Sequence, residues 1–255
     1  MKELVSVIIP IPDPNLNPTQ ERLLRHCLDA LVRYPVIFIT YEGADMGIIK
    51  EHKEDADIIC FPKEYFQSRQ TMARLFLMED FYERFSWADF LLIHELNSWV
   101  VRDELHYWCK QGYDYLKAAP IARIGETLPN QLALFLGLKE NQKIMIGNGF
   151  EENGLYLCHV QRMIKSLRKK ENTAYQYRHN DTISNRDGVF WETEANRLWP
   201  TLRKPTAIVR DFFCKSLLNK QLHLEGNNKQ LPFAFTGINS SNIDGLPFEE
   251  VRRKK

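Results

Sequence analysis

Phe90-Leu91-Leu92-Ile93-His94-Glu95-Leu96-Asn97-Ser98 begins as an apolar run and ends abruptly in acidic and amide side chains. Such a run is a buried strand of an open α/β sheet, and ligands of these sheets bind beyond the carboxyl ends of the strands. Glu95 and Asn97, two residues apart and so on one face, are therefore candidate ligand-contacting residues. The plainer reading is a strand that ends at an exposed loop, because alternation is what any strand terminus shows. His94 points the other way and reads as a core histidine.

Working outward, Val5-Ser6-Val7-Ile8-Ile9-Pro10 is a strand feeding a Pro/Asn-rich loop. Asn17-Pro18-Thr19-Gln20 then supplies a cap, a proline at the first helical position and a glutamine three residues after the cap. An amphipathic helix to about Tyr34 follows. Val36–Thr40 and Ala56–Phe61 are further strands with a short helix between them, which implies parallel pairing. Apolar residues recur at helical spacing from Ser68 to Phe85 and read as core. Val100–Leu105 reads as a helix start, Tyr113–Pro120 as a strand, and Gly154–Cys158 as a strand before a basic helix ending near Lys170.

The 255 residues suffice for one large α/β domain. The 34 basic and 33 acidic residues nearly cancel, which argues against a nucleic-acid partner. No apolar stretch reaches the roughly 20 residues of a spanning helix, and Met1-Lys2-Glu3-Leu4 opens no signal core, so the chain reads as soluble, unexported and cytoplasmic. The five cysteines, Cys27, Cys60, Cys109, Cys158 and Cys214, are scattered singly, without metal-site or redox spacing. Arg162, Lys165, Arg168, Lys169 and Lys170 form a basic stripe over 162–170 that reads either as a solvated helix face or as a peripheral contact with an anionic inner membrane.

Several blocks carry a family resemblance. Glu95–Leu105, Trp108-Cys109 and Gly112–Pro120, then Asn153–Leu157, Asn185–Trp191 and Leu231–Thr236, stand in the order found in a family of bacterial glycosyltransferase-like proteins of capsular and surface polysaccharide synthesis. Of these, Tyr113–Pro120 resembles the family's Tyr-Asp-Tyr-Ile-Gly-Ala-Pro strand, Asn185–Trp191 its Asn-Glu-Asp-Val-Phe motif, and Leu231–Thr236 its closing Leu-Pro-Phe-Gly-Cys-His. Short motifs are weak singly and more specific in ordered sets.

The resemblance implies an α/β fold of GT-A type, a Rossmann-like mixed sheet flanked by helices in a single domain. Residues 1–121 would form the nucleotide-sugar-binding half, 122–250 the acceptor-binding and catalytic half, and 251–255 a disordered tail. It further implies transfer of a sugar from a nucleotide-sugar to a glycan or lipid-linked acceptor, with inversion. Asp187 would be the general base. Glu95, Asn97, Arg74 and Arg69 would bind the donor, and Asn153, Gly154 and Trp191 the acceptor.

Enzymes of this architecture commonly hold magnesium or manganese with Asp-x-Asp. Here that position reads Glu95-Leu96-Asn97, and the family's late histidine aligns with Thr236, so any metal site at Glu95 and Asn97 is expected to be weak. The rival expectation is a catalytically impaired relative that binds nucleotide-sugar or glycan as a subunit or scaffold. A P-loop or dinucleotide site is disfavoured, because Ile9–Pro14 holds no glycine.

Overall fold

The computed structural model describes residues 2–119, 154–181, 183, 185–197, 199–217 and 231–246. Strands β1 (Glu3–Pro10), β2 (Val36–Tyr41), β3 (Asp57–Phe61), β4 (Ala88–His94), β6 (Tyr115–Lys117) and β7 (Leu155–His159) form a sheet in the order β3-β2-β1-β4-β7-β6. The first four in that order run parallel. The fifth, β7, runs antiparallel to both its neighbours. A second sheet joins β5 (Ser98–Val100), β9 (Ala234–Thr236) and β8 (Cys214–Ser216) in the order β5-β9-β8.

The central strands are apolar on both sides because both faces are covered. One face packs under α3 (Arg69–Leu75), α4 (Glu79–Glu83), α6 (Val160–Lys169), α7 (Glu171–His179) and α8 (Arg186–Val189), which runs on into a π-helical turn, Phe190–Glu194. The other packs under α1 (Pro18–Ala30), α2 (Gly47–His52), α5 (Leu105–Cys109) and α9 (Ala207–Phe213).

The start of α1 follows the sequence. Asn17 accepts from the Gln20 amide, the Gln20 side chain returns the bond to the Asn17 amide, and Pro18 opens the helix. The helix ends at Ala30 rather than near Tyr34.

Two other expectations are corrected. The stretch from Ser68 to Phe85 is two short helices, because Met78 is extended and starts a new one; Leu75, Phe76 and Leu77 are all buried, so the break sits in an all-round apolar segment. Ser98–Val100 is strand rather than helix start: it pairs antiparallel with Thr236–Ala234, a partner more than 130 residues away.

The basic stripe is largely consumed within the fold. Arg168 binds Glu79 and Glu83, Lys170 Nζ donates to the Arg197 carbonyl, and Arg162 lies 3.7 Å from the buried Asp114. Among the described residues no helix is long and apolar enough to cross a membrane. Cys27, Cys158 and Cys214 are fully buried, and burial raises their thiols above the ordinary range. The region 120–153 and the tail 251–255 lie outside the described residues.

Candidate functional site

Where β4 ends, the chain turns out of the sheet. The Glu95 amide donates to the Gly154 carbonyl at 2.7 Å, which fixes Glu95 over the carboxyl edge. Arg69 reaches it from the first position of α3. That helix start is held by a capping box: the Thr71 amide donates to Ser68 Oγ and the Ser68 amide to Thr71 Oγ1.

The Arg69 guanidinium lies between two carboxylates. Its Nε is 3.3 Å from Glu95 Oε1, and Nη2 is 3.1 Å and 3.4 Å from the two oxygens of Asp187. Three segments, from residues 69, 95 and 187, thus meet at one point. Exposure grades inward across it: the side chains of Arg69, Glu95 and Asp187 are 24%, 12% and 1% exposed. Burial works against the cation on Arg69, but the charges of Asp187 and Glu95 outweigh it and hold the guanidinium above its usual range.

Asp187 was read as preceding a helix, with either Asn185 or Asp187 as cap. It lies inside α8, one residue into the helix, and Asn185 precedes it in a left-handed conformation (φ 46°) that makes no side-chain cap bond. Its carboxylate therefore faces Arg69 across the core instead of closing a helix end.

Asn97 belongs to a second, neutral cluster. Its Oδ1 accepts from Ser98 Oγ at 3.1 Å, and Ser98 Oγ lies 3.2 Å from Thr236 Oγ1. A Cβ on Gly154 would sit 2.0 Å from both Asn97 Oδ1 and Thr236 Oγ1, so only glycine allows the two side chains to close there. The two positions that depart from the family pattern are thereby spatial neighbours.

The other expected residues disperse. Arg74, five residues after Arg69 and so about 140° around the helix, turns away to Asp181 at 2.8 Å and lines a separate cleft of about 370 Å³ beside Tyr65, Met78 and Arg178. Trp191 offers no surface to an acceptor: it is fully buried, edge-on to Tyr82 and Phe190. Gly154 is the hinge point just described, and Asn153 lies outside the described residues.

The residues fit a divalent cation poorly. A hard cation wants several charged oxygens, whereas Asn97, Ser98 and Thr236 are neutral and Glu95 is already paired with Arg69. No group of three His, Cys, Asp or Glu side chains is placed for a metal among the described residues.

The sequence reading missed Lys117, Glu192, Lys204 and Arg210. Glu192 takes both charge-assisted bonds of Arg210, at 2.8 Å and 3.0 Å, in the interior under β6. The available signal was Lys117 itself, a lone cation in the otherwise apolar strand run Tyr115-Leu116-Lys117-Ala118.

The sequence family described as "Protein of unknown function (DUF5672)" matches residues 55–236, more than half of the chain. Among the curated proteins none matches in sequence. Of solved structures, mouse xyloside xylosyltransferase 1 in its apo form superposes with a TM-score of 0.52 at 10% identity, covering 95% of this chain and 99% of that one. The bifunctional glycosyltransferase WbbM, also apo, gives 0.49 at 10% identity over 92% of this chain and 46% of its own. The fold is of GT-A glycosyltransferase type.

Proposed function

We propose that this chain, which belongs to the DUF5672 family of proteins of unknown function, is a glycosyltransferase that moves a sugar from a nucleotide-sugar to a glycan or lipid-linked acceptor in bacterial surface-polysaccharide assembly. The observation that carries the reading is the meeting of Arg69, Glu95 and Asp187 at the carboxyl end of β4. Folds host many chemistries, so the reading rests on this charged corner rather than on the architecture.

In it, the donor lies over the edge of the sheet beside Glu95 and Asn97. Asp187 takes the proton from the acceptor hydroxyl and the reaction inverts the sugar. With both carboxylate oxygens on Arg69, Asp187 must exchange that partner for the acceptor when substrate binds. Positive charge for the departing diphosphate comes from side chains, not from a tightly held magnesium or manganese ion. The chain acts in the cytoplasm.

A second reading is favoured by the same pairing and by the neutral Asn97 and Thr236: a relative that binds nucleotide-sugar without turning it over. Donor turnover with and without manganese separates the two. Under the first reading donor is consumed without manganese, and Asp187→Asn lowers turnover by about two to four orders of magnitude. Stabilisation by donor with no turnover supports the second reading. Neither turnover nor stabilisation removes both.

A further inference from the structure

The interior face at the carboxyl end of the sheet carries more positive charge than its carboxylates balance. Lys117 closes β6 opposite Tyr156, which itself pairs with Ile93 one residue before the end of β4. The lysine is only 5% exposed and its electrostatic neighbours are Glu192, Asp187, Arg210 and Arg69. Lys204 adds a further cation beside Glu192, donating to the carbonyls of Trp191 and Glu192. Four cations, Arg69, Lys117, Lys204 and Arg210, thus share three carboxylates, Glu95, Asp187 and Glu192.

Two of the three carboxylates are already committed. Asp187 holds Arg69 and Glu192 holds Arg210. Donors are in surplus as well: Arg69 Nη1 and Tyr115 Oη, the latter on the same strand face as Lys117, are buried without a hydrogen-bond partner among the described residues. Burying an ammonium costs several kcal/mol unless an anion compensates. Burial accordingly lowers the Lys117 ammonium below its usual range, with Glu192 and Asp187 only partly restoring it, and Lys204 is pulled down to about 8. A corner rich in donors and short of acceptors is complementary to a polyanion with several oxygens.

We propose that Arg69 and Lys117 form an anion pocket for the diphosphate of the donor, with Arg69 touching it at the open end and Lys117 acting as a positioning charge from the interior. The inference rests on the nucleotide-sugar reading above and adds the residues that do a metal's electrostatic work. In a low-dielectric interior a fixed ammonium is little screened, so it acts on the diphosphate without being exposed.

The test is calorimetry of the full chain in EDTA-containing buffer with UDP, GDP, CDP and dTDP, their parent nucleosides and inorganic pyrophosphate. One nucleoside diphosphate is expected to bind without a divalent cation, and Lys117→Met to weaken it about tenfold while the parent nucleoside binds unchanged. The same variant is expected to melt higher than wild type when ligand-free, because an undercompensated buried charge is gone, whereas loss of a purely structural lysine would lower the melting temperature. If Lys117→Met fails to fold, Lys117→Gln takes its place.

Equal affinity of wild type and variant overturns the pocket and leaves the transferase reading standing, as does binding seen only with manganese. Pyrophosphate binding as tightly as every nucleoside diphosphate overturns the assignment of the anion to the donor. Wild-type protein that binds no nucleoside diphosphate under either condition overturns the pocket and the transferase reading together.

Discussion

Two polar clusters flank the end of β4, and they are built on opposite principles. Arg69, Glu95 and Asp187 are ions brought together from three distant segments. Asn97, Ser98 and Thr236 are neutral groups closed over a glycine. In the first, each member is stable only while its partners are present, since an uncompensated ion in the interior costs far more than a lost hydrogen bond. In the second, the constraint is steric and each bond is modest.

The sharpest way to break this contrast is Arg69→Met. It strands Asp187, almost fully buried, without its cation, and is expected to cost about 3–5 kcal/mol in urea unfolding. A cost below 1 kcal/mol would mean that the charged cluster is no more demanding than the neutral one.

Next comes acid. His94 closes β4 on the other face, fully buried, with neither ring nitrogen hydrogen-bonded among the described residues, and burial lowers its pKa to about 4 from the ordinary 6.5. Below pH 6.5 the unfolded chain takes up a proton that the native imidazole refuses, so stability falls as pH drops toward 4, by up to about 3 kcal/mol from this group. His94→Phe should flatten that limb of the stability–pH curve; an unchanged slope would show that His94 does not contribute.

In the neutral cluster, Gly154→Ala is expected to cost about 1–3 kcal/mol through overpacking. Adding Thr236→Ala should recover part of it, because one of the two clashing oxygens is removed. Independent, additive effects would contradict the close approach. Smallest is Ser98→Ala, at about 1 kcal/mol, read by the same unfolding measurement.

Local chemistry made much of the fold legible. The Asn17–Gln20 box, the β-branched runs and the acidic stop after Ile93 each carry their own instruction in a few adjacent residues. What stayed hidden depends on partners far along the chain. Ser98–Val100 is a strand only because Ala234–Thr236 lies beside it, and no local pattern announces that pairing. The site behaved likewise. Glu95, Asp187 and Arg69 are identifiable as candidates, but their meeting is tertiary. Arg69 and Arg74 share a helix, yet rotation along it sends them to different carboxylates. Lys117 was visible as an oddity of composition, and its meaning came only with the carboxylates around it.

The position of Arg69 at the very start of α3 has a mechanical consequence. One helical turn, clasped by Ser68 and Thr71, with Thr71 also tethered to the Tyr65 carbonyl, is the mount for a guanidinium that serves two carboxylates at once. Fraying of that turn would withdraw the cation from Glu95 and Asp187 in a single movement. The electrical state of the whole corner is therefore geared to the helix–coil balance of one four-residue segment, and a ligand that grips Arg69 would tighten the turn as it binds.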